Sequence, residues 1–406
     1  MPHNEGSSLV LSYLELGLAM GRHIPGFVDA YYGPPELARR AQTAALVAPA
    51  ELVQRARGLI AAIDAGEPLD GSFEGTSEEA AARRRFLRAQ VVGVLTSARR
   101  LAGEPIAYVD EVEACYGVRP QRHSEDGFVA ARRALEAVVP GTGPIAQRLV
   151  AWREAQAVPP ERLEAAIASL AEELRERTRT MFGLPEGETV RFELVTNQPW
   201  SGFNYYLGDL TSKVAINTDL PVLSTNLAQL VAHEAYPGHH SEHTRKEVGL
   251  VRAKHFLEES IFLVGTPQCL IAEGLADLGL EVVVGRRPEA FVSRHLRPLH
   301  IAYDPDTVAV VAEASEALAA VRANAAFRLH EEGADPETVI AEVARFGLVS
   351  EARARKSVEF LMDPTWRTYI SCYVEGLPAC RRFVQGRPER FARLLSEQLT
   401  PADLLA

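Results

Sequence analysis

The chain has 406 residues, 44.4 kDa, 47% hydrophobic and 24% charged, with a formal net charge of −11. That is ordinary globular composition with ample material for a core, which excludes a disordered chain. The acidic balance, carried by 39 Arg but only 4 Lys against 54 Asp and Glu, argues against a nucleic-acid surface.

No apolar run reaches the ~18 residues of a membrane span, and Glu5, Glu15 and Arg22 interrupt any leader over 1–26. The expectation is no membrane, no nucleic acid and a cytoplasmic protein. Cys115, Cys269, Cys372 and Cys380 form no C-x-x-C pair, which fits free thiols in a reducing compartment; Cys269 is expected in packing. Arg83-Arg84-Arg85 reads as a solvated helix face.

Most of the chain has helical periodicity, so the predicted class is mainly α. Pro140-Gly141-Thr142-Gly143-Pro144 breaks the pattern, and the expected division is an N-terminal helical region, 1–150, and a second region, 151–406. Over 159–182, Leu163, Ile167, Leu170 and Leu174 recur at helical steps between Pro159-Pro160 and Gly183. From 190 to 217 the pattern turns strand-like. Val190 to Val195 alternates, Phe203 to Leu207 is aromatic, and 213–217 is β-branched, with turns at Asn197, Pro199, Gly202, Gly208 and Asp209. A small antiparallel sheet is predicted there. Trp200, Asn204 and Tyr205 either line a cleft or fill that sheet.

A helix starting at 224–226 then runs into His233-Glu234-Ala235-Tyr236-Pro237-Gly238-His239-His240. Leu227, Leu230 and Val231 define its apolar face, and Glu234 falls within it. A carboxylate so placed is costly unless it is paired or functional, and burial raises its pKa toward general-base range. In H-E-x-x-H sites two histidines one turn apart bind zinc. Here Pro237 occupies the second position. On a straight helix His240 would lie ~10 Å beyond His233, so the Pro-Gly pair must bend the chain back. His239 is the expected second ligand, with His240 supporting a ligand or facing substrate. His243 and His255 read as helix surface, and His295, His300 and His330 carry no assigned role.

Thr266-Pro267 opens a helix that is apolar nearly all round, with Glu273 and Asp277 one turn apart on it. Glu273 is the expected third metal ligand and Asp277 an orienting partner for a ligand histidine. Asp304-Pro305, Asp335-Pro336 and Asp363-Pro364 each read as an N-cap followed by proline, and the first helix could run to about Glu332. After Pro364, Trp366, Tyr369, Tyr373 and Leu377 recur at helical spacing. Tyr373 is the expected oxyanion donor, Tyr369 the alternative, and Arg367 a candidate for a substrate carboxylate.

The His-Glu-x-x-Pro-Gly-His-His run resembles that of the bacterial domain-of-unknown-function family 885. The matching positions are His233, Glu234, Pro237, Gly238, His239 and His240. Glu273-Gly274 matches a later Glu-Gly-aromatic element, with Leu275 for the aromatic, and Tyr373-Val374-Glu375-Gly376 matches a Tyr-x-x-Gly element. The resemblance covers roughly 190–380. It implies a helical zincin-like fold, gluzincin-like metallopeptidase chemistry with one zinc ion, and an edge strand for extended peptide, here 214–217. The expected function is zinc-dependent hydrolysis of a peptide or small amide, with Glu234 and Tyr373 catalytic and His233, His239 and Glu273 on the metal. The alternatives are hydrolysis of a non-peptide amide or ester, and a non-catalytic binding protein.

Overall fold

The computed structural model describes residues 8–70, 76–198, 200–364 and 366–405; Pro199 and the leader positions 1–7 lie outside them. Helices make up 66% of the structure. The first region holds α1 (Leu9–Gly21), β1 (Val28–Tyr31), α2 (Pro35–Thr43), α3 (Pro49–Asp64), α4 (Ser77–Leu101), α5 (Tyr108–Tyr116), α6 (Glu125–Val138) and α7 (Ile145–Ala155). The middle holds α8 (Pro160–Phe182), β2 (Thr189–Val195), β3 (Gly202–Gly208), β4 (Thr211–Asn217), α9 (Ser224–Glu234), α10 (His239–Lys246), β5 (Ile261–Leu263) and α11 (Pro267–Val284). The last part holds α12 (Glu289–Leu296), α13 (Pro305–His330), α14 (Pro336–Gly347), α15 (Glu351–Met362), α16 (Ile370–Val384), α17 (Pro388–Ser396) and α18 (Pro401–Leu404).

The periodicity argument holds for α8, whose buried face is Leu163, Ala166, Ile167, Leu170, Ala171 and Leu174. Asp304 and Asp335 cap α13 and α14 as expected, accepting from the backbone N–H of Asp306 and Thr338. Asp363 differs: it ends α15, and the next helix starts only at Ile370. Trp366 and Tyr369 therefore precede α16, while Tyr373 lies within it.

The strands β2, β3 and β4 form one sheet in the order β2-β4-β3. The expected antiparallel pairing joins β3 to β4, while β2 joins β4 in parallel because β3 intervenes as the crossover. The strand expected at the edge, β4, is thus central, and β3 is the edge nearest the motif helix. A second, two-stranded sheet pairs β1 with β5. Sequence reading missed it because strands of four and three residues carry too little alternation.

Three apolar clusters meet around α11. Its Leu270 and Leu275 join a large cluster with α5, α6, α13, α14 and α16, to which Leu135 and Leu149 contribute as well as Val339. Residues on both sides of position 150 therefore share it. Leu280 and Val283 join α8, β4, α9 and α12. The strand β5 seats Ile261 and Leu263 among α1, α3 and α4. One of the three expected surface arginines is interior: Arg83 is 2% exposed, bonded to Glu258 and Asp70. A guanidinium can be buried when carboxylates match its fork. All four cysteines are buried and free. No helix of the described residues is long and apolar enough to cross a membrane.

Candidate metal centre

The motif helix α9 buries Leu227, Ala228, Val231, Ala232 and Glu234 and stops at Glu234. Pro237 cannot donate to the helical ladder and restricts the residue before it, so the chain leaves the helix. The Tyr236–Pro237 peptide is cis. Gly238 then folds back over the end of α9, its N–H donating to Ala232 O at 2.9 Å. A side chain cannot fit there. A Cβ at 238 would lie 2.5 Å from Ala232 O and nearer still to the His233 carbonyl. The reversal starts α10 at His239, beside His233 rather than ~10 Å along it.

His239 Nε2 lies 3.1 Å from His233 Nε2. Glu273 Oε2 is 3.3 Å from His233 Nε2, and Glu273 Oε1 is 3.8 Å from His239 Nε2. These three residues form the metal-competent group found among the described residues. Ligands at ~2.0–2.1 Å from a tetrahedral ion stand about 3.3 Å from one another, close to the three separations observed. Glu273 Oε2 is buried without a hydrogen-bond partner, an arrangement that costs free energy unless a cation joins it. The donor set, two imidazoles and a carboxylate, fits zinc.

Neighbouring groups hold the ligands in place. Asp277 Oδ1 lies 2.9 Å from His233 Nδ1. Accepting a proton from Nδ1 leaves the Nε2 lone pair for a metal. Tyr369 Oη donates to Glu273 Oε1 at 2.7 Å, fixing the carboxylate from the other side. Burial opposes protonation of His233, but the carboxylates of Asp277 and Glu273 beside it outweigh that and raise its pKa, so proton and metal compete for one nitrogen. Burial and then the charge of His233 push His239 down to about 3, which keeps it neutral.

Glu234 is 6% exposed. Burial above all, with Glu273 and Asp277 adding repulsion against the attraction of His233, raises its pKa to about 7. The amide of Asn204, on β3, donates to the Glu234 backbone carbonyl at 2.6 Å and secures the helix end. Gly202 on the same strand lets β3 approach, since a Cβ there would sit 3.1 Å from Glu234 Oε1. Tyr373 is half-buried and meets Tyr369 edge-on, ring centroids 5.4 Å apart.

The structure places other candidates elsewhere. His240 is fully buried and faces neither ligands nor cleft. Its Nε2 bonds Glu188 at 2.9 Å and its Nδ1 bonds Ser212 at 2.8 Å. Glu188 also accepts from Tyr236 Oη at 2.7 Å and Arg175 Nε at 2.6 Å. This network clamps the Tyr236–His240 turn against α8 and β4. His243 is also buried rather than superficial, stacked on Tyr206. His255 is exposed. Arg367 is engaged by Glu111, with Nε–Oε2 at 2.8 Å, because burial next to that carboxylate satisfies both. Trp200 stacks on Phe203, and Tyr205 packs against Phe203 at a tilt, beside the sheet.

Sequence reasoning missed Asp29. It lies at the bulge of β1, between Val28 and Ala30, which pair with Leu263 and Phe262. Burial first, then repulsion from Glu273 and Glu234, raises its pKa to about 7. It is a further carboxylate that feels the charges of the site, and its only local signal is a lone acid in a four-residue strand.

No family model and no curated protein sequence matches this chain. Among solved structures, a candidate lipoprotein from Colwellia psychrerythraea aligns with a TM-score of 0.53 at 15% identity, over 93% of this chain and 76% of that one. A candidate lipoprotein of unknown function from Shewanella oneidensis aligns at 0.46 and 13%, over 88% and 72%. The M32 carboxypeptidase from Deinococcus radiodurans R1 aligns at 0.42 and 13%, over 98% and 93%. The first likeness is one of fold; the other two are too loose to carry a conclusion. The fold is mainly helical with a small sheet beside a His/Glu cluster able to hold a metal.

Proposed function

We propose that this protein is a zinc-dependent hydrolase of amide bonds, a metallopeptidase in which His233, His239 and Glu273 hold the ion. The observation that carries this reading is the convergence of their three ligand atoms, one of them an orphaned buried carboxylate oxygen, next to Glu234. The family-885 motif supports it. A zinc ion held there would supply Lewis acidity toward a water and a substrate carbonyl.

Glu234, poised near neutrality, takes the proton of the attacking water on its carboxylate and passes it to the leaving amine. Tyr373 donates its phenolic hydrogen bond to the developing oxyanion, whereas the Tyr369 hydroxyl is occupied by Glu273. Asp277 keeps His233 in the ligating tautomer. An extended substrate would run along β3, the edge strand at Glu234.

The test is elemental analysis of purified protein with His233→Ala and Glu273→Ala, followed by a peptide screen with Glu234→Gln. About one equivalent of zinc, lost in both ligand variants, and turnover lost in a zinc-retaining Glu234→Gln is the expected outcome. A protein that takes up no metal when zinc is offered would turn the assignment toward a binding role. Hydrolysis of small amides or esters but not peptides would reassign the substrate.

A further inference from the structure

The three candidate ligands are not held alike. Asp277 stands 2.9 Å from His233 Nδ1, and the Tyr369 hydroxyl donates to Glu273 at 2.7 Å. Among the described residues, the side chain of His239 makes polar contacts only to the other ligands, His233 at 3.1 Å and Glu273 at 3.8 Å. A ligand histidine is ordinarily oriented by a partner on its second nitrogen. Without one, the position of His239 depends on the backbone that carries it.

That backbone is the reversal Tyr236–His240, and one side chain grips it at both ends. Glu188, one residue before β2, accepts from Tyr236 Oη at 2.7 Å and bonds His240 Nε2 at 2.9 Å. A carboxylate only accepts, so Nε2 carries the proton. The Glu188 side chain is fully enclosed, and Arg175 on α8 donates to it at 2.6 Å. Ser212 on β4 bonds the other nitrogen of His240 at 2.8 Å. On its opposite side the turn leans on α11, the helix of Glu273: a Cβ at Gly279 would lie 3.0 Å from two ring carbons of Pro237. The turn is thus wedged between Glu188 and the helix of the third ligand. Bonds to an ionised carboxylate are stronger than neutral ones, which makes Glu188 the firm side of that wedge.

We propose that Glu188 is the positioning residue for His239: by holding Tyr236 and His240 on either side of the Pro-Gly reversal, it sets where the second imidazole stands and so how tightly the site binds its metal. Glu188 itself bonds none of the three ligands. The inference deepens the hydrolase reading and rests on it only for the presence of the metal.

The experiment titrates the metal-stripped full chain with zinc against a chelator, and with cobalt, whose visible band reports coordination geometry. Glu188→Gln keeps the volume but brings N–H donors against those of His240 and Arg175. Zinc affinity should fall about 10-fold, and the cobalt band should change in position and strength. Tyr236→Phe removes one bond and should lose less; added to Glu188→Gln it should cost less than it does alone, because both act through one turn. The control is Leu163→Ala, on the buried face of α8 about 18 Å along the helix from Arg175. It should lower Tm and leave affinity and band as in the parent. A folded Glu188→Gln protein with parent-like zinc affinity and cobalt band overturns the proposal, as does an equal loss in Leu163→Ala. Should Glu188→Gln not fold, Tyr236→Phe carries the same test. A parent chain that takes up neither metal overturns this inference and the metal reading together, whereas the expected metal behaviour without hydrolysis upholds it and counts against the hydrolase reading alone.

Discussion

Replacing Gly274 by alanine tests how the metal centre is braced. Helices α11 and α16 cross at Gly274 and Gly376. A Cβ at 274 would lie 2.5 Å from the Gly376 carbonyl carbon and 2.8 Å from Cys380 Sγ. Carbon–carbon contact is comfortable from about 3.5 Å, so the helices must separate by roughly 1 Å. The obstacle is backbone, which cannot rotate away, and the cost belongs near the top of the overpacking range, about 3 kcal/mol. At roughly 2.1 cal/mol/K per residue the 406-residue chain should lose about 3–4 °C of Tm. The same displacement would lengthen the Tyr369–Glu273 hydrogen bond, now 2.7 Å, past bonding distance. Zinc affinity should then fall by about 10-fold, as losing a partner of a ligand does. Calorimetry with and without zinc, plus chelator competition, reads both effects. Gly58→Ala on α3, where a Cβ would meet nothing within 4 Å, is the control and should be neutral or stabilising. A Gly274→Ala protein with unchanged Tm and zinc affinity would refute the bracing argument.

Asp277→Asn should weaken zinc binding about 10- to 100-fold, because an amide can donate to His233 Nδ1 and shift its proton to Nε2; chelator competition measures it, and parent-like affinity would remove Asp277 from the site. Tyr373→Phe should lower kcat with zinc content intact, whereas Tyr369→Phe should loosen the metal; steady-state kinetics alongside metal analysis separates them. The metal-free protein should lose stability as pH rises from about 6.5 to 8. Burial raises the folded-state pKa values of Glu234, Asp29 and Glu259 to about 7 each. The folded state therefore holds extra protons in that window and gives them up as pH climbs through it. His239 and His243, pushed down to about 3, act in the opposite sense but only below about pH 6.5, where the unfolded histidines take up protons, and Glu188 and Glu273 are shifted down and act only at more acidic pH. A Tm that increases across the window would contradict the assignment, and Glu259→Gln should flatten the slope.

The sequence by itself determined what short-range order can encode. Periodicity marked α8, proline and aspartate marked the starts of α13 and α14, and alternation marked the three-stranded sheet. The run from His233 to His240, with Glu273 and Asp277 one turn apart, marked the site, because Pro237 excluded a straight helix and an apolar helix left two acids to explain. The tertiary structure decided whatever depends on where the chain returns. The reversal at Gly238 sends His239 to His233 and His240 to Glu188, two positions indistinguishable by residue type. Strand order puts β4 in the centre, since β-branched residues suit either place. Arg83 and Arg322 are the same residue at helical positions; one meets Glu258 and Asp70 in the interior, the other is exposed. Asp29 couples electrostatically to Glu234 and Glu273 from more than 200 residues away in sequence. Such facts rest on contacts between distant segments, and the chemistry of a side chain does not say which partner will be opposite it.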